Sequence, residues 1–142
     1  CSIEDAEIHP FVYPLLRRAG LVLLATPIYF YNATAQLKKV IDRSQTLWSR
    51  KYKLDLVDPG RGSRKGMMLA VGATKGKNLF EGMALTSKYF FDAVGASFDQ
   101  SLTYRQVENI GDMKKHETVA ADVETTMDAM AGFFRRKKIL FA

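Results

Sequence analysis

One cysteine in 142 residues excludes an internal disulfide and leaves no set of thiolates for a metal or a cluster, so any redox function must come from a bound cofactor. Long apolar runs are missing too. The longest, at 21–25, falls far short of the roughly 20 residues that a membrane-spanning helix needs, and no charged-then-apolar leader opens the chain. A cytoplasmic protein without a membrane span is expected. Histidine is scarce: His9 and His116 have no ligand-type partners in sequence and read as surface residues rather than metal ligands. Repeats, low-complexity tracts and a second compositional regime are absent, so a single domain over 1–142 is expected. Nor is there a Gly-x-x-x-x-Gly-Lys-Ser/Thr phosphate loop.

What is present suits a globular α/β domain. Hydrophobic residues make up 47% and charged residues 25%, enough to bury a substantial core. Leu21-Val22-Leu23-Leu24-Ala25-Thr26 reads as a strand buried on both faces, as in a parallel sheet. Met67-Met68-Leu69-Ala70-Val71-Gly72 repeats the pattern after a loop at 58–66, and 96–104 is a third, wetter strand. Between the first two strands, Leu37, Val40, Ile41, Ser44, Leu47 and Trp48 recur at helical steps. Between the second and third, Phe80, Met83, Ala84, Ser87, Phe90, Phe91 and Val94 do the same. Asn78 and Glu81 have the spacing of a capping pair, and Gly95 suits a left-handed terminator. A last stripe runs from Val119 through Val123, Met127, Met130 and Ala131 to Phe134, and 11–18 is a short helix limited by Pro10 and Pro14. Alternating strand and helix predicts an open parallel sheet with helices on both faces. The chain opens on Cys1 rather than methionine, and three strands are few, so the first strands are expected to precede Cys1.

Ligands of such sheets bind beyond the carboxyl ends of the strands. Two loops there stand out. Residues 26–32 leave a strand through Pro27 and present Tyr29, Phe30 and Tyr31 before the next helix; the rings either flank a flat heterocycle or cap the core. Gly72-Ala73-Thr74-Lys75-Gly76-Lys77-Asn78 combines two glycines with a following helix start, suited to an anion or a polar ring edge, or else a plain turn. Asp42 and Arg43 read as an ion pair on a helix surface.

The run Ala25-Thr26-Pro27-Ile28-Tyr29-Phe30-Tyr31-Asn32-Ala33-Thr34-Ala35-Gln36-Leu37-Lys38-Lys39-Val40-Ile41-Asp42-Arg43 resembles the flavin loop of NAD(P)H-dependent FMN reductases and iron-sulfur flavoproteins, which are flavodoxin-like. Val71-Gly72-Ala73-Thr74 is similar to the second flavin loop of that family, and Cys1-Ser2-Ile3-Glu4-Asp5 to the end of its cysteine-rich stretch. The resemblance implies non-covalent FMN, NAD(P)H as co-substrate, and transfer to a quinone, flavin, metal or protein acceptor. It places Thr26, Pro27, Ile28, Tyr29, Phe30 and Asn32 on one side of the ring and Ala73, Thr74 and Gly76 on the other. No protein residue is then required as a catalyst, because the flavin carries the chemistry. It also implies a homodimer, and an iron-sulfur cluster only with residues upstream of Cys1. The family's phosphate-binding loop has no counterpart in the sequence. Net charge is +6, with basic residues scattered apart from 61–65 and 135–138; that pattern favours steering an anionic nucleotide over holding nucleic acid. A flavodoxin-type electron carrier and a flavin-free α/β binding module remain open alternatives.

Overall fold

Leu21–Pro27, Arg64–Gly72 and Ala96–Arg105 form β1, β2 and β3 of one parallel sheet in that order. The computed structural model describes residues 8–56, 58 and 60–140; Cys1 and the rest of the 1–5 segment lie outside them, as does the side chain of His9. Parallel pairing puts helices in the crossovers. A π-helical turn, Ile8–Val12, leads into α1, Tyr13–Arg18, which carries Pro14 in its first turn. The expected helix after β1 is two helices, α2 (Ala35–Arg43) and α3 (Gln45–Tyr52). They meet at buried Ser44, whose hydroxyl donates to Val40 O at 2.9 Å; a serine bonding back one turn bends a helix. Helix α4, Glu81–Ala93, is closed by Gly95 at φ 74°, the left-handed terminator expected.

Register decides which side chains form the core. Leu24 is opposite Met68 and Thr26 opposite Ala70. The face that carries Val22, Leu24, Met68 and Ala70 packs on Leu47, Met83, Phe90 and Phe91 from the helices, with Leu16, Leu37 and Ile41 partly buried against them. Each such large side chain contributes on the order of 1.5–3 kcal/mol. Strand β1 buries one face rather than two: Val22 is 7% exposed and Leu23 51%. Helices α1 to α4 therefore line only one side of it.

Strand β2 starts three residues earlier than expected, at Arg64. Arg64 looks like part of a basic surface loop, yet it is buried, because its guanidinium bonds to the carbonyls of Arg17, Ala19 and Val94 and pairs with Asp58 at 3.5 Å. Nearby, Asp92 joins α3 to α4: it pairs with Lys51, accepts from Tyr52 Oη at 2.8 Å and lies 3.7 Å from Arg61. Burial pushes its carboxyl up, but the Lys51 and Tyr52 hydrogen bonds and the Lys51 and Arg61 charges together hold it below the ordinary carboxylate value. Asp42 pairs with Lys38 one turn earlier on the helix surface, at 2.6 Å, the spacing at which helical side chains face each other.

The chain divides into two compact units between Gln106 and Val107. The first holds the sheet and α1 to α4. In the second, α5 (Asp112–Lys115) follows a turn in which Asp112 Oδ2 accepts the N–H groups of Asn109 at 2.7 Å and Glu108 at 3.0 Å; these bonds hold its carboxyl below the ordinary value. His116 is half-buried rather than on the surface. In α6, Val119–Leu140, the expected stripe is only partly covered: Met130 is buried, but Val123 and Met127 are exposed. Among the described residues no helix is long and apolar enough to cross a membrane, and no group of His, Cys, Asp and Glu could hold a metal ion.

Candidate functional site

After β1 the ladder continues for one residue, with Ile28 N–H donating to Val71 O at 2.8 Å. The backbone then turns sharply. Tyr29 and Asn32 exchange both N–H···O bonds at 3.0 Å, and between them Phe30 and Tyr31 have φ of 49° and 63°. Two left-handed residues inside such a pair make a type I′ turn, which normally selects Asn-Gly. Bulky residues hold that conformation at a cost of about 1 to 2 kcal/mol each.

The surroundings explain how the strain is held. Asn32 Oδ1 accepts from Ala33 N–H at 2.8 Å, and Asn32 Nδ2 donates to Thr86 Oγ1 at 3.2 Å on α4. Thr86 Oγ1 in turn donates to Gly82 O at 2.8 Å. A Cβ on Gly82 would lie 2.5 Å from Tyr31 O, so only glycine lets α4 approach the turn this closely. The buried Thr26 hydroxyl donates to Pro27 O at 2.7 Å and accepts from Thr34 N–H at 3.3 Å, joining the two ends of the loop. The turn thus protrudes with Phe30 fully exposed and Tyr29 and Tyr31 more than half exposed. Among the described residues, the N–H groups of Phe30 and Tyr31 have no protein acceptor.

Strand β2 delivers the second loop beside the first. A Cβ on Gly76 would lie 3.6 Å from the Tyr31 hydroxyl, so the loops meet. Turn bonds run from Leu79 N–H to Gly76 O at 3.3 Å and from Glu81 N–H to Asn78 O at 3.2 Å. The expected Asn78–Glu81 side-chain capping does not form: Phe80 occupies the cap of α4, with no side-chain cap bond. The N–H groups of residues 74–78 have no acceptor among the described residues. From β3, Arg105 donates through Nε to Gly76 O at 3.3 Å and through Nη2 to Lys77 O at 3.1 Å.

Of the residues expected to line a ring, the structure places Pro27, Tyr29, Phe30, Ala73, Thr74 and Gly76 at this open edge, all exposed or half-buried. Ile28 packs partly into the core and offers backbone; Thr26 and Asn32 spend their polar groups bracing the loop. Gly82, Thr86 and Arg105 escaped sequence reasoning. A glycine inside a helix, where it costs about 1 kcal/mol relative to alanine, was the one available signal. Exposed rings, two loops in contact and unsatisfied N–H donors on both suit a planar heterocycle with acceptors along its edge, and the isoalloxazine of FMN is such a ring.

The family described as NADPH-dependent FMN reductase matches residues 6–80, more than half of the chain. No curated protein matches. Among solved structures, the Trp repressor binding protein from Bacillus subtilis is similar at a TM-score of 0.61 and 19% identity, over 78% of this chain and 69% of that one. A thermophilic tryptophan halogenase from Streptomycin violaceusniger is similar at 0.57 and 15%, over 80% and 67%. At such identities the likeness is one of fold: a flavodoxin-like open α/β sheet.

Proposed function

The chain belongs to the NADPH-dependent FMN reductase family, and from that premise we propose that it is an FMN-dependent NAD(P)H oxidoreductase. One observation supports this above the others: the strained aromatic turn at Tyr29 to Asn32 holds two N–H donors that have no acceptor among the described residues, beside the loop that follows Gly72. Bound there, FMN would supply hydride acceptance from NAD(P)H and onward electron transfer to a quinone, flavin, metal or protein acceptor. The protein's part is to hold the ring edge. Phe30 and Tyr31 offer N–H groups where reduction builds negative charge, while Tyr29 and Tyr31 offer ring faces for stacking. Pro27 and Ile28 supply the apolar floor at the strand exit, and Ala73, Thr74 and Gly76 the opposite side. A homodimer and a cytoplasmic setting belong to the same reading.

Uptake of FMN is measured first, by the flavin spectrum of protein freed of unbound FMN, and NADPH or NADH is then added without oxygen. A bound flavin that bleaches is the expected result. Protein that stays colourless sinks the flavin reading and favours a flavin-free module. A bound flavin that neither nucleotide bleaches sinks the enzyme and leaves an electron carrier, a reading consistent with the same ring wall.

A further inference from the structure

Arg105 ends β3, and its side chain reaches across to the exit of β2. Its two bonds, to Gly76 O and Lys77 O, fall on consecutive peptide units, and its Cζ stands 5.2 Å from the centre of the Phe80 ring at the start of α4. A planar guanidinium can hold two adjacent carbonyls and lie over a ring at once; an ammonium is a point donor and cannot. In a trans peptide the C=O of one residue and the N–H of the next point in opposite directions. Turning the Gly76 and Lys77 carbonyls onto Arg105 therefore turns the N–H groups of Lys77 and Asn78 away from it, and both are without a protein acceptor among the described residues. No carboxylate pairs with Arg105 among the described residues, so its charge is not neutralised.

We propose that Arg105 is a positioning residue for the flavin: it fixes the 72–78 loop with its N–H groups presented to the ring, and its unpaired charge raises the reduction potential of a flavin held there. The proposal rests on the flavin reading above. Reduction adds negative charge to the ring, so a fixed cation nearby favours the reduced form.

Two variants separate the roles. Arg105→Gln removes the charge; Arg105→Lys keeps it and removes the fork. In the flavin-free full chain, exchange of the loop's bonded amides, Leu79 N–H on Gly76 O and Glu81 N–H on Asn78 O, is expected to speed up about tenfold in Arg105→Gln and by less in Arg105→Lys, with β1 and β2 unchanged, since one or two hydrogen bonds that fix the loop are lost. The FMN dissociation constant should rise about tenfold in Arg105→Gln, the equivalent of one charge-assisted hydrogen bond. The midpoint potential of bound FMN should fall in Arg105→Gln and stay near wild type in Arg105→Lys. Unchanged loop exchange in both variants overturns the positioning role, and one potential shared by all three proteins overturns the electrostatic role. If wild type takes up no FMN, the flavin reading fails and Arg105's part in it falls too; faster loop exchange would then show a purely structural clamp. If Arg105→Gln does not fold, Arg105→Lys decides the positioning role through its loop exchange, and a potential that drops in it overturns the electrostatic one.

Discussion

At the amino edge of the sheet Arg64 is 2% exposed, and its donors meet the carbonyls of Arg17, Ala19 and Val94. At the carboxyl edge Phe30 is 102% exposed, left-handed, and its N–H has no protein acceptor among the described residues. One strand pair thus carries opposite chemistries at its two ends. At the amino edge the terminal carbonyls of α1 and α4, which a helix end leaves without partners, converge on a single guanidinium. At the carboxyl edge, donors and strained residues are kept waiting. Strain of this kind persists only when the surroundings impose it, and the bracing by Thr26, Asn32, Gly82 and Thr86 is what imposes it here. Cohesion and the proposed capture of the ring are thus kept apart along the strand axis, and each should fail separately.

The largest expected effect breaks the amino edge. Arg64→Met keeps much of the volume but leaves three carbonyls without their donor and Asp58 with only Arg17 and the Gly60 N–H. Removing one member of a buried hydrogen-bonded charge set costs about 3 to 5 kcal/mol. Urea unfolding should show that loss, and FMN affinity at the other edge should stay within about twofold, because sites this far apart without shared partners are independent. A loss below about 1 kcal/mol would show that the packing around Arg64, and not its bonds, holds that edge.

The next effect has the opposite sign. Replacing Phe30 by Asn and Tyr31 by Gly writes the preferred type I′ sequence into the same turn. Relief of two left-handed bulky residues, less the unfolded-chain entropy that the new glycine adds, should stabilise the protein by roughly 1 to 2 kcal/mol in urea, and the loss of both rings should weaken FMN binding at least about tenfold. A double variant that is no more stable than wild type would remove the claim that this edge stores strain. Unchanged FMN affinity would move the ring site elsewhere.

The strands were legible because apolar runs near 21–26 and 67–72 have no other economical place in an α/β chain, and Gly95 ends α4 as its type predicts. The structure departs from expectation where a polar group acts through the backbone. Arg64 looks solvated in sequence, and only the folded chain brings Arg17, Ala19 and Val94 to it. Ser44 divides one expected helix into two through a bond to its own preceding turn. Asn78 and Glu81 have the right spacing for a cap, but Phe80 takes the cap position and Asn78 spends its carbonyl on a turn. The candidate site was legible as a segment and not as a device. A proline at a strand exit followed by aromatics, together with the family resemblance, points to Tyr29 to Tyr31, whereas the contacts of Gly82, Thr86 and Arg105 with the two loops depend on register and crossover geometry that no local pattern records.

The smallest effect sharpens the amino edge through pH. The Asp92 carboxyl is held below its ordinary value in the folded chain, with the hydrogen bonds of Lys51 and Tyr52 and the charges of Lys51 and Arg61 outweighing its burial. A carboxyl depressed on folding contributes stability that is complete above its unfolded value near about 4, and this stability disappears as pH falls through the lower folded value. Asp92→Asn removes the charge and keeps the shape. Its side chain is 37% exposed, so solvent screens the pairs, and the expected cost at neutral pH is only about 1 kcal/mol. Urea unfolding of both proteins from neutral pH down to about pH 3 should show the gap shrinking below about pH 4, as the wild-type carboxylate takes up its proton. A gap that stays constant over that range would mean that asparagine disturbs packing between α3 and α4, and that the charge network contributes nothing to joining them.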